Sequence, residues 1–270
     1  MKISKKIFLA AITAAAVAFV GCGAGGMGDS DIIKVSGSKG TIDYTNDTEN
    51  DMIRGVKRFN FEHTQSICRV TVDNVSAAGT SVIGYVFDEQ KNDGLSDMYI
   101  AGLHVKDNLV EYYVSFFEDI TDEELTANGD SFGKEYGVDL TTGKWVEESK
   151  SVNTTSSDYA TLSKANTDRL VKENKLDCYV AVLYDEANAA FNVGIYEAVN
   201  GLDAIKDIEN ISEAEKELLT HAKVAGGVIP AFDNTTVKGK VGCYANVKKG
   251  YTLTGSWQKT ASKAAEVVEE

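Results

Sequence analysis

From residue 59 onward, Val, Ile, Tyr and Phe alternate with polar residues in runs broken by Gly, Asn and Asp. A period of two is the mark of strands with distinct faces. It predicts strands over 59–63, 66–73, 80–87, 97–105, 109–117, 144–148, 176–185, 189–199, 227–232, 240–247 and 251–258. Three segments leave this period. ITDEELTAN opens with a capping box, Thr121 and Glu124, and LSKANTDRLVKEN carries Leu162, Ala165, Leu170 and Val171 at loosely helical spacing. ISEAEKELLTHAK is the clearest helix, with Ser212 as N-cap, Glu215 three residues on, and an apolar face of Ala214, Leu218 and Leu219. Many strands, short helices and a single proline, Pro230, predict an all-β chain: one domain, a two-sheet antiparallel β-sandwich with a few short helices.

The first 22 residues follow another rule. Lys2, Lys5 and Lys6 precede an apolar stretch over 7–20 interrupted only by Thr13, and small residues follow. That is the order of a secretory signal peptide, and the stretch is shorter than the roughly 20 apolar residues that span a bilayer. Phe19-Val20-Gly21-Cys22 resembles a bacterial lipobox, usually Leu-Ala-Gly-Cys, and resembles the more relaxed spirochaetal form. The resemblance implies that Cys22 is acylated and becomes the N-terminus, anchored by burial of acyl chains at about 0.8 kcal/mol per CH₂. Gly23 in place of Asp implies, by analogy with Gram-negative sorting, a lipid-anchored location in the cell envelope at the outer membrane. The expected organisation is a signal peptide over 1–21, a flexible tether over 22–54 rich in Gly, Ser, Asp and Thr, with pairing of part of it as a first strand left open, the sandwich over 55–259, and a polar tail over 260–270.

Charge narrows the partners. The chain carries a formal charge of −14, and removing Lys2, Lys5 and Lys6 takes it to −17. A strongly acidic surface argues against nucleic acid and against electrostatic attachment to anionic lipid. The partners expected are the membrane, through the lipid, and a glycan or protein ligand. Cys68, Cys178 and Cys243 remain after processing, an odd number that allows one disulfide and a free thiol, or no disulfide. Cys68 is in phase with Val70 and Val72, and Cys243 with Val241, Ala245 and Val247, so both read as core residues. In DCYVAVLY both faces are apolar, and Cys178 has no assigned side.

The runs IGYVFDEQKNDGLSDMYIAGLHVKDNLVEYYVSFFEDI and GKVGCYANVKKGYTLTGSW resemble spirochaete-type lipoproteins with a concanavalin A-like (lectin/glucanase-type) jelly roll. In such domains a Gly-x-Gly-x-Tyr strand precedes a last strand ending Gly-x-Trp; here Gly239 and Val241-Gly242-Cys243-Tyr244 precede Gly255-Ser256-Trp257. The resemblance implies the fold. Glucanases of this class carry Glu-x-Asp-x-Glu on one strand, one acid as nucleophile and one as acid/base. That run is missing; the nearest acids are Glu118-Asp119, Glu147-Glu148, and Asp207 with Glu209. His63, His104 and His221 lie far apart in sequence. No cofactor is expected. A structural Ca²⁺ at DEQKNDG, using Asp88, Gln90 and Asn92, lacks the glycine at position six, where Asp93 stands, and an ordinary polar hairpin loop is the better reading.

A binding face is the favoured chemistry. With a three-residue loop, Lys106-Asp107-Asn108, Val105 faces Leu109. One face then carries Met98, Ile100, Tyr112, Val114 and Phe116 as core. The other carries Tyr99, Ala101, Glu111, Tyr113 and Ser115, a mixture of rings, carboxylate and hydroxyl suited to a sugar. Trp257 reads as core, and Trp145, beside acids, as an exposed ring. The segments 97–108 and 177–188 share Asp, Tyr, Ala, Leu and Asn at equal offsets, and the same pairing rule sets Tyr179, Ala181 and Leu183 against Phe191, Val193 and Ile195. The expected ligand set is Tyr99, Glu111, Tyr113 and Trp145. The expected function is a lipid-anchored envelope protein with a lectin-like domain that binds a glycan or a host or envelope protein without catalysis. The alternatives are a glycoside hydrolase whose acids meet only in the fold, and a structural envelope lipoprotein.

Overall fold

The computed structural model describes residues 31–62, 65–92, 95–106, 109–121, 134–139, 144–146, 172–185, 187–198, 210–220, 223–231 and 240–263. Its strands are β1 (Ile33–Ser36), β2 (Lys39–Thr45), β3 (Met52–Glu62), β4 (Gln65–Val72), β5 (Ser81–Asn92), β6 (Leu95–Lys106) and β7 (Leu109–Thr121). They continue as β8 (Lys134–Asp139), β9 (Lys144–Val146), β10 (Leu176–Asp185), β11 (Ala190–Glu197), β12 (Lys223–Pro230), β13 (Lys240–Lys248) and β14 (Thr252–Lys263). Two short helices are α1 (Val75–Ala78) and α2 (Ile211–Leu218).

The strands form two seven-stranded sheets, paired antiparallel throughout. The first runs β1-β2-β14-β4-β10-β11-β12 and the second β3-β13-β5-β6-β7-β8-β9. The chain changes sheet at each step from β2 to β5. The two last strands return to the middle of this region: β13 pairs with both β3 and β5, and β14 with both β2 and β4. Pro230 ends β12, an edge strand, where a missing N–H is tolerated.

Between the sheets lies the main core, with Val70, Val180 and Leu253 of the first sheet among the residues that meet Tyr85, Leu103 and Val247 of the second. Two buried hydrogen bonds cross it. Trp257 Nε1 in β14 donates to the Gly84 carbonyl in β5 at 2.7 Å, and Tyr85 Oη in β5 donates to Ser66 Oγ in β4 at 2.8 Å. Trp257 is core, as its phase with Leu253 predicts. The outward faces are apolar too. On the first sheet Ile67, Tyr179, Ala181, Tyr196 and Ala261 are covered by Ala214 and Leu218 of α2. On the second sheet Val56, Val82, Val86, Met98, Ile100, Phe117 and Tyr244 form another buried cluster. Burial of both faces is the feature that period-two reasoning does not contain.

The strands expected over 176–185 and 240–247 agree with β10 and β13 to within a residue, while β1, β2 and β8 have no counterpart among the expected strands. The tether expected over 22–54 is corrected: β1 and β2 form a hairpin, with Ile33 opposite Ile42 and both buried, and Ile53 of β3 is buried as well. Its polar composition reflects an edge hairpin whose outward positions face solvent. The polar tail expected from 260 starts later, because β14 runs to Lys263 and Ala261 is buried. The N-cap of α2 is Asn210 rather than Ser212: its side chain accepts from the backbone N–H groups of Ser212 and Glu213 at 3.0 and 3.2 Å. Ala214 and Leu218 are buried as expected, but Leu219 is 65% exposed, one residue past the helix end. The other two expected helices fall mostly outside the described residues. Cys68, Cys178 and Cys243 are free and buried in the inter-sheet core, which gives Cys178 its side.

Removing the indole donor tests the cross-sheet bond. Trp257→Phe leaves the Gly84 carbonyl buried without that partner and removes ring volume, so denaturant unfolding should report a loss of about 2–4 kcal/mol. A loss within experimental error would show that the bond adds nothing to the fold.

Candidate ligand-binding face

The β6–β7 hairpin carries most of the sequence-expected site, and its register differs from the expected one. Lys106 pairs with Leu109 and Val105 with Val110, so the connection is two residues rather than three. Tyr99, Ala101 and Leu103 therefore stand opposite Phe116, Val114 and Tyr112. A slip of one residue exchanges the faces of one strand relative to the other. Tyr99 belongs to the inter-sheet core: it is 1% exposed, stacks on Phe87 with ring centroids 5.3 Å apart, and meets Phe116 at 5.6 Å. Burial, and then the charges of Asp88 and Asp97, push its phenol well above the usual range. Phe87 meets Phe191 of the first sheet edge-on, and Phe191 lies tilted against Tyr184. Tyr99 is thus a cross-sheet packing residue, not part of a ligand face.

Glu111 and Tyr113 take the opposite register parity. Glu111 pairs with His104, Tyr113 with Gly102, and position 145 with Val138, and the side chains of Glu111, Tyr113 and Trp145 lie outside the described residues. Of the expected set, Tyr99 is the member whose side chain is described, and it belongs to the inter-sheet core. The second hairpin shows the same slip. Tyr179 pairs with Tyr196 and Ala181 with Gly194, on the outer side of the first sheet. The shared Asp-x-Tyr-x-Ala pattern thus points inward in β6 and outward in β10. With apolar layers on both faces, alternation fixes a strand but not which of its faces turns inward.

Tracing pairs across the second sheet shows what surrounds Glu111 and Tyr113. Arg54 of β3 pairs with Asn246 of β13, Asn246 with Val82 of β5, Val82 with His104 of β6, and His104 with Glu111. The next row is Val56, Tyr244, Gly84, Gly102 and Tyr113. Its two glycines allow close strand approach: a Cβ on Gly102 would lie 2.2 Å from the Ile83 carbonyl oxygen. This row is buried at Val56, Tyr244, Gly84 and Gly102. The first row is the polar margin: Arg54 is 9% exposed, and Asn246 and His104 are half-buried. Asn246 Oδ1 is itself buried and takes no hydrogen bond among the described residues. Arg54 and Asn246 escaped sequence reasoning because their strands are separated by most of the chain; the phase of Asn246 with Tyr244 was the available signal. His104 lies on this outer face rather than in the inter-sheet core.

At the other end of the same face, a line of irregular pairings crosses the sheet. Register shifts occur between Lys240 and Gly242 on β13, Phe87 and Gln90 on β5, and Ser96 and Met98 on β6. Extra residues of this kind bend strands and redirect side chains. Here Asp88 adopts φ 49, and Glu89 is turned to Arg58, whose Nε donates to its carboxylate at 2.6 and 2.9 Å. Arg58 Nη2 and Ser96 Oγ also donate to Glu89 Oε1, at 2.5 and 3.1 Å. Asp88, Gln90 and Asn92, weighed as calcium ligands, lie in strand β5, and Gln90 Nε2 donates to Asp88 Oδ1 at 2.7 Å. Among the described residues, no group of three or more His, Cys, Asp or Glu side chains converges as metal ligands would. Asp177, fully buried on the other sheet, accepts from Arg69 Nε at 3.0 Å and from its Nη2. Glu118 and Asp119 fall in β7, with side chains outside the described residues, as do His63, His221, Glu147, Glu148, Asp207 and Glu209 entirely.

Two substitutions check these assignments. Tyr99→Ala should cost about 3–5 kcal/mol in denaturant unfolding, the range of buried aromatic truncations; a surface-sized change would return Tyr99 to the ligand face. Arg58→Met strands the carboxylate of Glu89 and should cost about 3–5 kcal/mol, and adding Glu89→Leu should recover much of that loss.

No protein-family model and no curated protein matches this chain.

Proposed function

We propose that this chain is a lipid-anchored, non-catalytic protein of the bacterial cell envelope, held at the outer membrane through Cys22. Its concanavalin A-like jelly roll binds a glycan or an envelope or host protein along the polar margin of the second sheet. The observation that carries the reading is the lipobox-like Phe19-Val20-Gly21-Cys22, eleven positions ahead of β1. An acylated Cys22 joins the sandwich through a short linker, so the domain stays near the bilayer. The jelly-roll assignment is supported by the resembling runs, which coincide with β5–β7 and β13–β14, the contiguous centre of the second sheet and the final strand pair. The binding margin is supported by the row in which Arg54, Asn246 and His104 line up across β3, β13, β5 and β6, with the buried Asn246 Oδ1 that no described residue takes up. Binding without catalysis is supported by Glu89 and Asp177, whose buried carboxylates are each held by an arginine.

Metabolic labelling with palmitate tests the anchor: Cys22→Ser should abolish the label and leave an unprocessed precursor, and equal label in the variant would end the lipobox reading. A glycan array and envelope pull-down with the detergent-solubilised mature protein test the margin. Asn246→Ala should weaken whatever is bound by about 2–10-fold, the value of one hydrogen bond, with unfolding unchanged. Full retention by Asn246→Ala and His104→Ala would remove the margin as the site.

A further inference from the structure

The core holds a group of thiols that the binding reading does not use. Cys68 of β4, Cys178 of β10 and Cys243 of β13 all point into the space between the sheets. Cys68 stands opposite Val180, two residues from Cys178 on the neighbouring strand, and both Cys178 and Cys243 lie close enough to Cys68 to feel its charge. Cys243 Sγ packs over Gly40 of β2, where an added Cβ would lie 2.4 Å away. Burial pushes all three thiols well above the usual range, so they stay protonated and unreactive.

We infer that these thiols form an oxidative trap: they are inert in the native sandwich, and any disulfide among them locks the chain out of it. The geometry is the reason. Diagonal positions on paired strands are roughly 7–8 Å apart at Cα, and facing sheets roughly 10 Å, whereas a disulfide needs about 4.4–6.8 Å. Cys68 and Cys178 are such a diagonal pair, and Cys243 faces them from the other sheet. On these general spacings none of the three pairings has bridging geometry without a backbone shift. Before β13 and β14 insert, Cys68 and Cys178 lack the cover of Cys243 and Trp257. In that state glutathione disulfide can oxidise two of them: one thiolate attacks it, a second resolves the mixed disulfide, and one protein S–S bond replaces two thiols. The two electrons and both thiol protons end on two molecules of glutathione. For an exported chain, folding must outrun this reaction.

The test uses full-length Cys22→Ser protein, so that three thiols are counted. Native protein incubated with glutathione disulfide should keep all three thiols, titratable only after denaturant is added. Protein oxidised in denaturant and then diluted should lose refolding, carry an internal disulfide by peptide mapping, and regain its cooperative transition on adding dithiothreitol. The inference is overturned if native protein loses thiols without unfolding, or if the internally oxidised chain refolds to the same transition. Cys68→Ala, which leaves the inter-sheet pair Cys178 and Cys243, should likewise fail to refold once internally oxidised, and its refolding would overturn the inference; thiol counting on the parent stands even if that variant does not fold.

Discussion

The indole N–H of Trp257, near the end of the described chain, reaches across the core to the carbonyl of Gly84 in the other sheet. That contact exists only because β14 lies between β2 and β4 while β13 lies between β3 and β5. Each of these strands completes two ladders, so residues 240–263 supply an interior strand of each sheet from the far end of the sequence. Until they arrive, β3 lacks its in-sheet partner and β2 is separated from β4. The side chains they bring, Val241, Cys243, Tyr244, Val247, Leu253 and Trp257, are all buried. Long-range pairing of this kind carries a large loop-closure cost before any contact forms, and such sandwiches fold slowly for their size. The rest of the architecture, from the β1–β2 hairpin to the packing of α2 on Ile67 and Ala261, presupposes that insertion.

The same arrangement explains what could be read from sequence. Strand existence was legible because Val, Ile, Tyr and Phe recur with period two, and β4, β10 and β13 lie within about a residue of their expected bounds, as strand ends normally scatter. The β1–β2 hairpin was legible only as the open possibility of a first strand, without its bounds or its pairing. It is short, sits at an edge, and its outward Lys34, Ser36, Lys39 and Asp43 resemble a linker; only Ile33, Ile42 and their burial against the core distinguish it. A local pattern cannot show that a distant last strand, β14, will pair with this hairpin.

The site was less legible for a different reason. Alternation identifies a buried face when the other face meets water. In this protein the second sheet packs Tyr99, Ala101 and Leu103 inward and Met98 and Ile100 outward, and both sets are buried. Register then depends on hairpin length, and one residue of difference at Lys106–Leu109 accompanies the inward turn of Tyr99. The same ambiguity let two strands with a shared Asp-x-Tyr-x-Ala pattern turn it in opposite directions. Arg54 and Asn246 come to the outer margin from strands that sequence proximity could not join.

Buried polarity in this molecule bears on function. Two of the buried carboxylates, Glu89 and Asp177, each meet an arginine from another strand, because an unpaired charge there would cost several kcal/mol. Where a thiol sits inside, it is left protonated among apolar neighbours, which costs little. The Asn246 amide has a buried acceptor that no described residue takes up, at the margin where the second sheet carries its polar row. An unpaired buried acceptor costs about 1–3 kcal/mol. Its place in a row with Arg54 and His104 is why the proposed reading puts a ligand, held by a few directed hydrogen bonds, at the edge of this face.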